Sequence, residues 1–180
     1  MRKTMLVAGA AVAALTLTTL AVRAEAASRA DLDDATIVAI FDAANTADIE
    51  TGKLAAERGQ NAEVREFGKM LMRDHDMVRQ QGRDLAKKLG VTPTPPSPDE
   101  GAKAHAAAMK QLRSVKASQF DHAFLVHEVA FHKSVIDAVN STLLPAIRNE
   151  EVKKLVTTVA PAFVAHMEAA RHLDAKLSKK

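Results

Sequence analysis

An all-α fold of two antiparallel helical hairpins is predicted by three features of the 180-residue sequence. Four long segments, near residues 33–58, 61–89, 116–141 and 149–178, repeat apolar residues at helical spacing. Almost nothing in them alternates with the period of a strand. A proline-rich stretch at residues 92–98 divides them into two pairs.

The chain begins differently. Arg2 and Lys3 precede an apolar run from Met5 to Leu20, followed by the small-residue sites Val22-Arg23-Ala24 and Ala24-Glu25-Ala26. This is the three-part layout of a secretory signal, and the run falls short of the roughly 20 residues a spanning helix needs. The expectation is a cleavable signal over residues 1–26, a single domain over 27–180, a periplasmic location and no membrane-spanning segment after cleavage. No cysteine occurs anywhere, which excludes a lipid anchor at the cut, disulfides, thiolate metal sites and thiol catalysis. Cleavage after Ala26 removes three of the 25 basic residues and one of the 22 acidic ones, so the basic balance of the full chain carries no message about partners. Mixed charge, without tyrosine or tryptophan to stack on bases, gives no support for nucleic-acid binding.

In the first helical segment Asp33 or Asp34 can cap a stripe of Ile37, Ile40, Phe41 and Ala44, and the segment ends near Gly59. Asn61 caps the second after a very short turn, so these two form a hairpin. The second closes at Leu89-Gly90. Thr92 to Pro98 cannot be helical and reads as an extended spacer. Asp99 starts a short extra helix from about Glu100 to Arg113, and spacer plus helix are long enough to cross the length of a bundle. The last two segments turn around Leu144-Pro145. Pro161, inside the fourth, is expected to kink it by removing a backbone donor.

Polar residues fall where the core should lie. On the second segment His75 sits within the stripe Val64, Phe67, Leu71, Val78, Leu85 and Leu89. On the fourth, His166 sits within Val152, Leu155, Val159, Phe163, Ala170 and Leu173. Asp121, Glu128 and His132 occupy the centre of a wide apolar arc on the third, and Glu50 flanks the stripe of the first beside Ala47 and Leu54. An isolated carboxylate or imidazole in apolar surroundings costs several kcal/mol unless neutralised or hydrogen-bonded. Carboxylates and imidazoles on facing helices are also the donors with which bundles hold Fe, Mn or Zn. Met72 and Met167 adjoin the histidines, a thioether and imidazole combination that suits Cu but also serves as core filler. A buried hydrogen-bonded network without metal is the alternative reading of the same residues. No phosphate loop or nucleophile elbow occurs, and no catalytic residue is assigned.

Several of these landmarks together resemble the bacterial family known as domain of unknown function 4142. They are Glu50 within Ala47-Asp48-Ile49-Glu50-Thr51-Gly52-Lys53-Leu54-Ala55, then Asp74-His75, and Phe120-Asp121 with His132 eleven residues after the Asp. Pro161, five residues before His166, completes the set. The resemblance implies an exported, ferritin-like four-helix bundle of two similar hairpins, with peripheral envelope or outer-membrane association, and no established activity. The sequence departs from the Glu-x-x-His pairs of di-iron members of that fold, because Met72 and Phe163 stand three residues before His75 and His166. A carboxylate-bridged di-iron oxidoreductase is therefore not expected.

The functional expectation is one divalent transition metal (Fe, Zn, Mn or Cu) held by Glu50, His75, His132 and His166, with Glu128 and Asp121 as further ligands or as partners of the ligands. Against it stands a metal-free structural or interaction module of the envelope, with its protein partner unspecified.

Overall fold

A computed structural model describes residues 32–179. The export signal expected over residues 1–26 lies outside them.

The described residues are helical, with no strand among them. Helix α1 spans Asp34–Arg58 and α2 Ala62–Leu89; α3 spans Glu100–Ser114 and α4 Ala117–Ala138. A π-helical turn at Val139–Leu143 leads into the three-residue α5, Leu144–Ala146, and α6 covers Glu150–Leu177. Helices α1, α2, α3 and α6 start on side-chain caps, whereas α4, which follows Lys116, has none. Asp33 accepts the Thr36 N–H, Asn61 that of Glu63, Asp99 that of Ala102, and Asn149 those of Glu151 and Val152. These caps satisfy amides that have no partner inside the helix. Gly90, the one described residue at positive φ (65°), closes α2 in the left-handed conformation. The π turn was not foreseen. It falls at Asn140-Ser141-Thr142, where the Ser141 hydroxyl donates to the Asp137 carbonyl at 2.7 Å and competes with the regular ladder. Helix α6 continues unbroken through Pro161.

α1 packs along α2, and α4 along α6. α2 also touches α6 and α1 touches α4, so the four long helices close into a ring of neighbours. The extended segment after Gly90 and helix α3 form the crossover, with α3 lying against α1 and α4. Arg58, at the end of α1, donates to the carbonyls of Leu112, Arg113 and Val115 at 2.7–2.9 Å, satisfying the open end of α3. Its guanidinium also lies 4.9 Å above the centre of the Phe120 ring.

Two carboxylates tie the halves together reciprocally. Asp121, near the start of α4, accepts the backbone N–H groups of Gln60 and Asn61 at 2.8 and 2.7 Å, in the turn between α1 and α2. Asp34, the first residue of α1, accepts those of Arg148 and Asn149, both at 3.0 Å, in the turn before α6.

The core contains Leu54, Ala55, Val64, Phe67, Leu71, Phe120, Phe124, Leu125, Ala170 and Leu173. No described helix is long and apolar enough to cross a membrane.

The approach of α1 to α2 depends on two glycines. A Cβ at Gly68 would lie 2.5 Å from the Gly52 carbonyl oxygen, and one at Gly52 would lie 2.7 Å from that of Gly68. The obstacle is backbone in both cases, so a methyl group must push the helices apart. Gly68→Ala is expected to cost about 1–3 kcal/mol, the range for overpacking a tight interface. Urea unfolding checks this, and an unchanged midpoint would show that the helices separate without penalty.

Candidate metal centre

The cluster lies between α1, α2, α4 and α6, with each helix contributing polar side chains. His75, Glu128 and His132 are essentially inaccessible, Asp48 and Asn45 nearly so, and His166 is 7% exposed. Helical spacing explains the contributions: Asn45, Asp48 and Thr51 on α1 lie in line with Phe41 and Ala55, while Glu128 and His132 are one turn apart on α4.

Each imidazole is fixed by a partner on its outer side. The Asn45 amide donates from Nδ2 to the Phe41 carbonyl at 2.8 Å, which turns its Oδ1 toward His75 Nδ1 at 3.0 Å. His75 therefore carries its proton on Nδ1 and presents the lone pair of Nε2. His132 Nδ1 lies 3.0 Å from the Glu128 carbonyl oxygen and donates to it, again leaving Nε2 as a lone pair. His166 Nε2 faces the half-exposed Asp74 carboxylate at 3.3 Å. Its Nδ1 lies 3.1 Å from His75 Nε2.

The row Asn45, His75, His166, Asp74 therefore contains three contacts that each need a proton between an acceptor and a nitrogen. Two neutral imidazoles supply only two. With both outer contacts satisfied, the lone pairs of His75 Nε2 and His166 Nδ1 face each other, and buried His132 Nε2 has no hydrogen-bond partner. One ligand atom from each of these histidines can be chosen so that all lie within 4.8 Å of one another.

A second group, Asp48, Glu128 and His132, meets the same distance limit and shares His132. Asp48 Oδ1 and both Glu128 carboxyl oxygens are buried without a hydrogen-bond partner. Asp48 Oδ2 stands 3.5 Å from His75 Nδ1, Asp48 Oδ1 3.8 Å from His132 Nε2, and Glu128 Oε2 3.5 Å from His132 Nδ1. Such an arrangement of nitrogen and carboxylate donors could hold a metal ion. Phe163 stacks on His75 at 5.6 Å between ring centres, and Phe131 meets His132 edge to face at 6.0 Å.

Desolvation governs the charge states. Burial, reinforced by His166 and His132, pushes the His75 imidazole down to about 3. Burial takes His132 to about 4 against the pull of the Glu128 carbonyl, and lowers His166 against the attraction of Asp74. Burial raises Glu128 to about 7, partly offset by Thr51 and Asp48. Asp48 is held well above the ordinary carboxylate range by burial and then by Glu128.

Of the six expected site residues, the structure brings together His75, Glu128, His132 and His166 and places two elsewhere. Glu50 is exposed, with its Oε2 2.8 Å from His105 Nε2 of the crossover helix. Asp48 lies inside, and two residues turn a helix by about 200°, so Glu50 faces away. Asp121 serves the backbone of the α1–α2 turn, as described. Asp48, Asn45, Thr51 and Asp74 were missed. The signal was the recurrence of Asn45, Asp48 and Thr51 in phase with Phe41 and Ala55, obscured by choosing the flank that Ala47 and Leu54 define.

Fold and site thus define a class: an all-helical protein enclosing a cluster of histidines and carboxylates. The chain belongs to the family described as domain of unknown function (DUF4142), whose model matches residues 19–173. No curated protein and no solved structure matches it.

The shifted groups move stability in opposite directions with pH. An unfolded histidine takes up its proton near 6.5, whereas folded His75 and His132 do so near 3 and 4. Between these values the unfolded chain binds more protons, so their contribution rises with pH and is lost as pH falls from 6.5. Glu128 is the reverse, with an ordinary value of 4.5 and a folded value of about 7, so its contribution falls as pH rises through that window. Glu128→Gln removes the falling part. In chelator-treated protein the variant is expected to gain more stability between pH 5 and 7 than the unchanged chain does, read from urea midpoints. Equal slopes would show that Glu128 titrates in its ordinary range.

Proposed function

We propose that the protein is an exported, periplasmic, ferritin-like four-helix bundle that binds one divalent transition metal ion without catalysing a reaction. His75, His132 and His166 are its nitrogen donors, and Asp48 and Glu128 supply carboxylate oxygen and charge. The observation that carries this reading is the convergence of three imidazoles whose outer nitrogens are already engaged, around a buried lone pair with no protein partner. Ligating histidines characteristically donate their second nitrogen to a carbonyl or carboxylate, as all three do here. The 3.1 Å between His75 Nε2 and His166 Nδ1 also fits two nitrogens on one ion, since bonds of about 2.0–2.1 Å at tetrahedral to right angles place them about 2.9–3.4 Å apart.

Charge supports a single divalent ion. Two carboxylates balance a charge of two, whereas a second such ion would leave excess positive charge in a desolvated site. The closed ring of four helices and the crossover support the ferritin-like reading. The basic start, apolar run and small-residue sites over residues 1–26 support export, after which the protein remains in the periplasm or associates peripherally with the envelope. Metal handling or envelope stress is the role such a site suits.

A second reading is a metal-free module of the envelope in which the cluster fixes helix register. The observation favouring it is the row from Asn45 through His75 and His166 to Asp74, every contact of which lies within 3.3 Å. The two readings differ in what they expect of metal content. Metal analysis of the mature protein purified from periplasm, without affinity tags or chelators, is run beside the His75→Ala, His166→Ala double variant. About one equivalent of Fe, Zn, Mn or Cu is expected in the unchanged protein, with at least a tenfold loss in the variant. If the unchanged protein carries none and takes up none on reconstitution, the register module is the better account.

A further inference from the structure

His166 occupies a special place among the three histidines. His75 and His132 are 1% and 0% exposed and their hydrogen bonds run only to interior groups, whereas His166 is 7% exposed. One of its nitrogens faces His75 in the interior, and the other faces Asp74, whose side chain is 29% exposed. A single imidazole ring thus spans the distance between a surface carboxylate and the buried cluster. Asp74 is held in place from outside, its Oδ1 3.0 Å from both Nε and Nη2 of Arg73, whose side chain is 68% exposed. The other two histidines are each covered on one side by an aromatic ring, Phe163 stacked on His75 and Phe131 edge to face with His132.

We propose that Asp74 and His166 form the port through which the metal ion enters and leaves the cluster. The inference rests on the metal-binding reading above. Asp74 captures the cation at the surface, exchanging its contact with Arg73 or His166 for the ion, and His166 passes the ion inward as its ring turns. Asp74 contacts the ion only in transit and eases its passage in both directions. A group that lowers only the barrier changes uptake and release by the same factor and leaves their ratio alone, whereas a group that only anchors a ligand changes the ratio.

Asp74→Asn separates these roles, because Asn keeps an oxygen to accept from His166 Nε2 and loses the charge that attracts cations. Stopped-flow uptake of cobalt(II) by chelator-treated protein, followed by its visible absorption, and release to excess EDTA supply the two rates. In Asp74→Asn both are expected to fall at least fivefold while their ratio changes less than threefold. Arg73→Ala, at an exposed position, frees Asp74 and is expected to speed uptake at least twofold with an unchanged urea midpoint, which separates the gain from loosening of the bundle. Unchanged rates in both variants would overturn the port, and so would faster release of Asp74→Asn at an unchanged uptake rate, which marks an anchor. Failure of the unchanged protein to take up cobalt(II) would overturn the metal-binding reading itself. Binding by the unchanged protein with either of the other adverse results would overturn the port alone.

Discussion

Desolvation of Asp48, Glu128, His75, His132 and His166 in one core is the constraint to which the rest of the structure answers. Each charged form is penalised by burial, so the imidazoles stay neutral and the carboxyls resist ionising. Neutrality alone leaves nitrogen lone pairs and carboxyl oxygens facing one another without partners. An apolar core of the same volume would avoid that cost, since a partly satisfied buried network is worse than none. A cation resolves the conflict chemically, because the groups that oppose one another in its absence become its ligands.

The fold brings these groups together by fixing helix positions at their ends. Gly52 and Gly68 let α1 and α2 approach to backbone contact, which holds Asn45 and Asp48 against His75. Arg58 secures the crossover helix through three carbonyls and the ring of Phe120. The exposed ion pairs along the helices contribute little by comparison, since each surface pair is worth about 0–1 kcal/mol.

The helices were legible in the sequence because their caps and stops are local: Asp33, Asn61, Asp99 and Gly90 act within a turn of where they stand. The inward direction of His75, His132 and His166 was legible for a similar reason, as long apolar stripes surround each. The first helix was harder. Its alanines occur at buried positions (Ala39, Ala47, Ala55) and at the exposed Ala43, and its inner face carries Asn45, Asp48 and Thr51, so hydrophobic contrast points weakly and Glu50, at the flank of the stripe, reads as a ligand in place of Asp48. Asp121 faces inward along α4, as its position in the arc suggests, but meets the turn between α1 and α2. Identifying that partner requires knowing where the other hairpin ends, which no periodicity within α4 contains. The π turn depends on hydroxyl competition at Ser141, below the resolution of a stripe.

The reciprocal carboxylates have a consequence for the segment that joins the hairpins. Asp34 and Asp121 each hold a turn belonging to the other half, so registration of the halves is written into side chains far from the joint. The joint itself, residues 90–99, is mostly exposed, and its backbone makes one reach to α1, from the Thr94 N–H to the Ala35 carbonyl at 3.2 Å. The contacts that register the halves do not run through this joint, and an exposed connection tolerates added residues better than the elements it joins. The joint can therefore act as a tether of variable reach, and drift in its length between related chains need not disturb the geometry of the enclosed cluster.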